Sequence, residues 1–107
     1  MRRFIFALVI IILFSNAATA ATVKGFWMSS PVGGTTQCEI IRYEANLGVE
    51  WPDDLKIINQ EISMAALHGR FANLTQLEDI INVFLKNEHI GDGFKIVDVE
   101  RIDLLNP

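Results

Sequence analysis

The chain predicts an α+β fold, a small two-helix domain on a mixed sheet in the order β-α-β-β-α-β-β, and three observations carry that expectation. Leu77, Ile80, Ile81, Phe84 and Leu85 recur at helical spacing. Thr36 and Glu39 stand at the capping-box offset ahead of a second apolar segment. Short runs rich in β-branched and aromatic residues, punctuated by glycine, proline and aspartate, occupy much of the rest. At 107 residues, 50% apolar and 21% charged, the composition suits one small globular domain and excludes a disordered or collagen-like chain.

Residues 1–20 read as an export signal, 21–34 as an N-terminal strand or linker, and 35–107 as the α+β domain. Val23 to Met28 is the expected first strand, and Ser29 to Gly34 has loop chemistry. A helix is expected from Thr36, with Cys38, Ile41 and Ala45 on one stripe and Gly48 as its stop. Val49 to Trp51 alternates as a short strand, and Pro52-Asp53-Asp54 reads as a turn. Leu55 to Ile58 and Glu61 to Phe71 read as extended because Ile62, Met64 and Ala66 alternate with Ser63 and Ala65; Gly69 suggests a bulge or close backbone approach. The second helix starts near Asn73 or Thr75, with its acids early and Lys86 late, in agreement with the helix dipole. Gly91-Asp92-Gly93 is a turn, and Phe94 to Val99 and Ile102 to Leu105 are two short strands joined around Glu100-Arg101.

The amino terminus addresses the compartment. Met1-Arg2-Arg3 precedes eleven apolar residues, Phe4 to Phe14, and then the small-x-small triplet Ala18-Thr19-Ala20. A spanning helix needs roughly twenty apolar residues, so the pattern is that of a signal cleaved between Ala20 and Ala21, with periplasmic delivery. Secretion, or an uncleaved inner-membrane anchor, is the alternative. Cleavage leaves seven basic against thirteen acidic side chains, a charge of −6, which disfavours nucleic acid and anionic lipid as partners and leaves protein as the default. Cys38 is the only cysteine, so no intrachain disulfide forms. It either packs as a small apolar side chain on a helix or bridges two chains, and it follows no lipobox.

No catalytic constellation is apparent in the sequence. His68 and His89 lack zinc-site spacing and read as structural or surface residues. Ser29-Ser30 has no nucleophile elbow, and Gly33-Gly34-Thr35-Thr36 lacks the lysine of a phosphate loop. Asp53-Asp54 and Asp92 fall short of a calcium loop, and the sequon Asn73-Leu74-Thr75 is explained by helix capping. No cofactor or metal is expected, and the expected activity is non-enzymatic.

Gly48-Val49-Glu50-Trp51, Leu67-His68-Gly69-Arg70-Phe71, the helix from Leu74 to Leu85 and the Phe94 to Leu104 strands together resemble the small periplasmic domain that opens secretins and TonB-dependent receptors. More narrowly, a helix ending in G-V-x-W looks like the C-terminal domain of the toxin-coregulated pilus biosynthesis protein Q family. The resemblance covers roughly residues 23–105, through apolar spacing, a few glycines and one tryptophan. It implies a docking or assembly subunit at a secretin channel of a type IV pilus or secretion system, its partner a secretin or other envelope assembly component. The chain lacks a secretin barrel, so the implied role is a free-standing accessory subunit. Phe26, Trp27, Met28 and Trp51 are the candidate partner contacts, although packing inside so small a domain competes for both tryptophans. Two other readings stay open: an inhibitor or immunity-type protein whose acidity masks one basic soluble target, and a small hydrolase with an unannounced cleft.

Overall fold

The computed structural model of the protein describes residues 21–31, 34–48 and 50–105. The expected signal peptide, residues 1–20, lies outside them, as do Val32, Gly33 and Val49. The elements are β1 (Ala21–Met28), β2 (Gln37–Leu47), α1 (Trp51–Leu67), α2 (Leu74–Asn87) and β3 (Gly91–Asp103). The fold class is α+β with two helices, as expected. The order is β-β-α-α-β, and the sheet is antiparallel throughout, β1-β2-β3, rather than mixed.

The expected helix from Thr36 to Leu47 is instead the central strand. Its apolar positions suit either period, but Ile41, Tyr43, Ala45 and Leu47 all enter the core while Arg42, Glu44 and Asn46 face away, which is the twofold alternation of a strand. The capping-box pair serves other ends. Thr36 Oγ1 donates to Asp103 Oδ1 at 2.6 Å, and the Glu39 amide donates to Ser29 Oγ at 2.8 Å. Cys38 is buried as expected, though on a strand and not on a helix.

The second correction lies between residues 49 and 71. Trp51 opens α1 instead of closing a strand, and Pro52 sits in the first helical turn, where a missing amide hydrogen costs nothing. Asp53 and Asp54 are first-turn acids, not turn formers. The buried residues Asp54, Ile58, Ile62 and Ala65 follow helical spacing, while Met64 and Ala66 of the apparent alternation are exposed. Gly69 is neither bulge nor close approach: at φ 63° it ends α1, with its amide donating to Ala66 and the Arg70 amide to Ala65.

Helix α2 is as expected. The Asn73 side chain accepts from the Gln76 amide at 2.8 Å, so Asn73 and not Thr75 is the cap. Leu77, Ile81 and Leu85 are fully buried. His89, at φ 56°, takes the left-handed position that terminates the helix, and the Ile90 amide closes back on Leu85.

The two expected C-terminal strands are one. β3 runs through Glu100-Arg101 without a turn and pairs with β2 from Leu47↔Gly91 to Gln37↔Asp103. It holds two irregularities, one beside Gly93 at φ 65° and one at Val97. Both helices pack on one side of the sheet, where Tyr43, Leu47, Ile58, Ile62, Leu77, Ile81 and Leu85 form the centre of the core. Among the described residues, no helix is long and apolar enough to cross a membrane.

Tyr43 lies at the middle of that core. Its hydroxyl donates to Asn59 Oδ1 at 2.7 Å, and its ring meets Phe94 at 4.9 Å between centroids. Burial pushes the phenol up to about 12 from its ordinary 10. A raised folded value means that the contribution to stability is whole below about pH 10 and is lost as pH climbs through the folded value. The expected loss is on the order of 2 to 3 kcal/mol by pH 12. Because Tyr43 is the only tyrosine, phenolate absorbance reports it without ambiguity. Titration near the ordinary value in the folded protein would refute the assignment, and Tyr43→Phe should remove this alkaline loss.

Candidate protein-interaction surface

The side of the sheet away from the helices has no element over it among the described residues, and register assigns its side chains in cross-strand rows. Thr22, Asn46 and Asp92 form a hydrogen-bonded row: Thr22 Oγ1 donates to Asn46 Oδ1 at 2.8 Å, and Asn46 Nδ2 donates to Asp92 Oδ1 at 3.1 Å. Lys24, Glu44 and Lys95 make the next row, with charges alternating. Phe26, Arg42 and Asp98 follow, then Met28, Ile40 and Glu100. The face thus runs from polar to apolar along β1.

Phe26 is 57% exposed, Met28 50% and Val97 48%, whereas Ile40 between them is 8% exposed. The irregularity at Val97 matters here. One extra residue between Ile96, opposite Tyr43, and Asp98, opposite Arg42, puts Val97 on the rim of the same recess as Phe26. That recess, about 370 Å³, is lined by Lys24, Phe26, Arg42, Glu44 and Val97 with Gly25 and Tyr43 beneath. Arg42 is held by Asp98 at 2.9 Å and Glu100 at 2.8 Å, and the hydrogen bond to Glu100, with that to Asp98, raises its already high pKa. The guanidinium is therefore paired in place, beside the exposed apolar side chains of Phe26 and Val97.

The four sequence-expected contacts are divided. Phe26 and Met28 stand together on the open face. Trp27 points the opposite way, half-buried against the core, with Nε1 donating to Ser63 Oγ at 2.7 Å. Trp51 is 43% exposed at the start of α1 and belongs to neither group. Val97 was missed, because its exposure depends on an irregularity that depends in turn on pairing with β2.

The edges of the sheet differ. Along β3, Asn82 of α2 accepts from the Phe94 amide at 2.7 Å and donates to the Phe94 carbonyl at 3.0 Å, and Glu78 accepts from the Ile96 amide at 2.9 Å. Helix side chains thereby occupy the edge groups of β3 at Phe94 and Ile96. β1 pairs with β2 without interruption from Ala21↔Leu47 to Met28↔Ile40, and its outer row has no partner among the described residues.

The groups with chemical potential are dispersed. His68 Nδ1 lies 2.9 Å from the Met64 carbonyl at the end of α1, and His89 terminates α2. Asp54, buried in the first turn of α1, has its carboxyl raised by desolvation and then by Glu50 and Asp53. Among the described residues, no group of three histidine, cysteine or acidic side chains is placed to hold a metal ion. A groove of about 410 Å³ lies between the helices, where Ile80, Val83 and Phe84 meet the Glu61–Arg70 ion pair. No protein-family model matches this chain, nor does any curated protein or solved structure.

Proposed function

We propose that this chain is an exported, non-enzymatic docking subunit that works in the periplasm and binds a protein component of a secretin-type outer-membrane channel. The observation that carries the docking role is the open sheet face, where Phe26, Met28 and Val97 are exposed around a recess and Arg42 is already paired with Asp98 and Glu100. The signal-like amino terminus supports the compartment. The secretin-type partner rests on the resemblance of residues 23–105, and the segment expected to end as a helix at Gly48 is a strand, so the surface and not the motif is the stronger support.

A photo-activated cross-linker at Val97, in protein exported by its native host, is expected to yield an adduct containing a channel component. Phe26→Asp should reduce that adduct by about tenfold while leaving the unfolding midpoint nearly unchanged, because the side chain is outside the core. Capture at Val97 of a soluble enzyme would replace the channel with an inhibitory role. That second reading has its own observation: the acids Asp92, Asp98, Glu100 and Asp103 all lie on β3. A basic target would be masked there, and its binding would respond to Asp98→Asn and Glu100→Gln more than to Phe26→Asp.

A further inference from the structure

We propose that two copies of this chain join edge to edge through β1, producing one continuous six-stranded antiparallel sheet. This goes beyond the docking role, since it uses the main-chain groups of an edge; Phe26 and Met28 are shared with the docking patch, whereas Val97 stays free.

The two edges are unequal. β3 is covered at Phe94 and Ile96 by Asn82 and Glu78, is irregular beside Gly93 and at Val97, and carries Asp98, Glu100 and Asp103 along the rest of its length, features that oppose strand addition. β1 has neither device over its eight residues. Charge selects the same edge. The chain carries a net charge of −4, and −6 without residues 1–20, so two copies repel over most approaches. All thirteen acids lie from Glu39 to Asp103, and residues 21–38 contain none. β1 is therefore the element along which two copies meet without opposing carboxylates, its one charged side chain being Lys24.

Pairing further restricts the register. A two-fold axis through the sheet requires antiparallel β1 strands, with Phe26 of both copies on the open face and Trp27 of both on the helix side. Pairing residues 21–27 with themselves would set Lys24 against Lys24, a like-charge contact that opposes association. Moving to the next register of the same facing sets Gly25 against Gly25 and pairs residues 22–28. Lys24 then lies opposite Phe26 of the second copy, where its stem and ammonium cover the ring, and Trp27 lies opposite Val23. The Phe26 and Met28 side chains of both copies become one apolar stripe.

The test uses the purified exported protein, with no channel component present. Sedimentation velocity over a concentration series is expected to show a monomer–dimer equilibrium. The double variant K24C/F26C is expected to form a disulfide-linked dimer under mild oxidation, and K24C alone much less. Val23→Pro and Lys24→Pro remove successive amides that point in opposite directions, so one of them spares the β1–β2 ladder. The variant that keeps the wild-type circular dichroism and melting curve is expected to weaken the dimer by about tenfold or more, since each lost contact occurs twice across the axis. A wild-type protein that stays monomeric throughout, or a folded proline variant that dimerises as tightly as wild type, overturns the proposal. Cross-linking at Val97 to a channel component is read separately, so a failed dimer and a failed docking role give different results.

Discussion

Gly25→Val is expected to lower the unfolding free energy by about 3 to 4 kcal/mol, a large part of what so small a domain possesses. A Cβ at Gly25 would stand 2.7 Å from Tyr43 Cζ and 2.8 Å from its hydroxyl oxygen, closer than real contacts allow. The ring has nowhere to retreat, because it is fully buried, packs on Phe94 and is bonded to Asn59. Valine would therefore either expel Tyr43 from the core or push β1 off β2. Chemical denaturation measures the loss. A double-mutant cycle identifies the cause: in a Tyr43→Leu background, which lacks the clashing atoms, the cost of Gly25→Ala should shrink sharply. An unchanged cost would place the constraint in the backbone and not in the ring. The result also bears on function, since β1 carries Phe26 and Met28 on one side and the proposed dimer edge on the other.

Asn82→Ala is expected to cost about 3 kcal/mol or more and to create a new mode of self-association. One side-chain amide accepts from the Phe94 amide and donates to both the Phe94 and Glu78 carbonyls, so alanine leaves the two main-chain groups of a buried residue unpaired. Asn82→Asp keeps the acceptor and loses the donor, and should fall between wild type and alanine. Opening the β3 edge adds a second consequence. Sedimentation of Asn82→Ala should show species larger than any wild-type dimer, because β1 and β3 would then both accept a strand. A folded, fully stable Asn82→Ala protein with wild-type association would show that α2 does not protect this edge.

The helix α2 was legible from residues alone because three independent signals agree there: the apolar stripe ending at Leu85, the Asn73 cap and the late Lys86. The strand character of residues 23–28 and the burial of Cys38 were legible too. The segment 37–47 was not. Apolar residues at 38, 40, 41, 43, 45 and 47 satisfy both helical and strand spacing, and Thr36 with Glu39 imitated a helix start. What decided it was hydrogen bonding to β1 on one side and β3 on the other, which no local pattern contains. In α1 the reverse happened: a few alternating residues around Ile62 concealed a helix whose buried face appears only when α2 and the sheet are present.

The candidate surface was half-readable for the same reason. An aromatic run at Phe26-Trp27-Met28 marks a segment worth attention, but a strand sends neighbouring side chains to opposite sides, and only packing says which side is covered. By itself the amino-acid sequence determined an acidic, cysteine-poor α+β domain with one unmistakable helix. The tertiary structure alone decided that Trp27 serves the core while Phe26, Met28 and Val97 face outward, and that Asn82 covers the β3 edge at Phe94 while β1 has no such cover among the described residues. Those outcomes depend on contacts between residues far apart in the chain, where pairing and burial outweigh local preference.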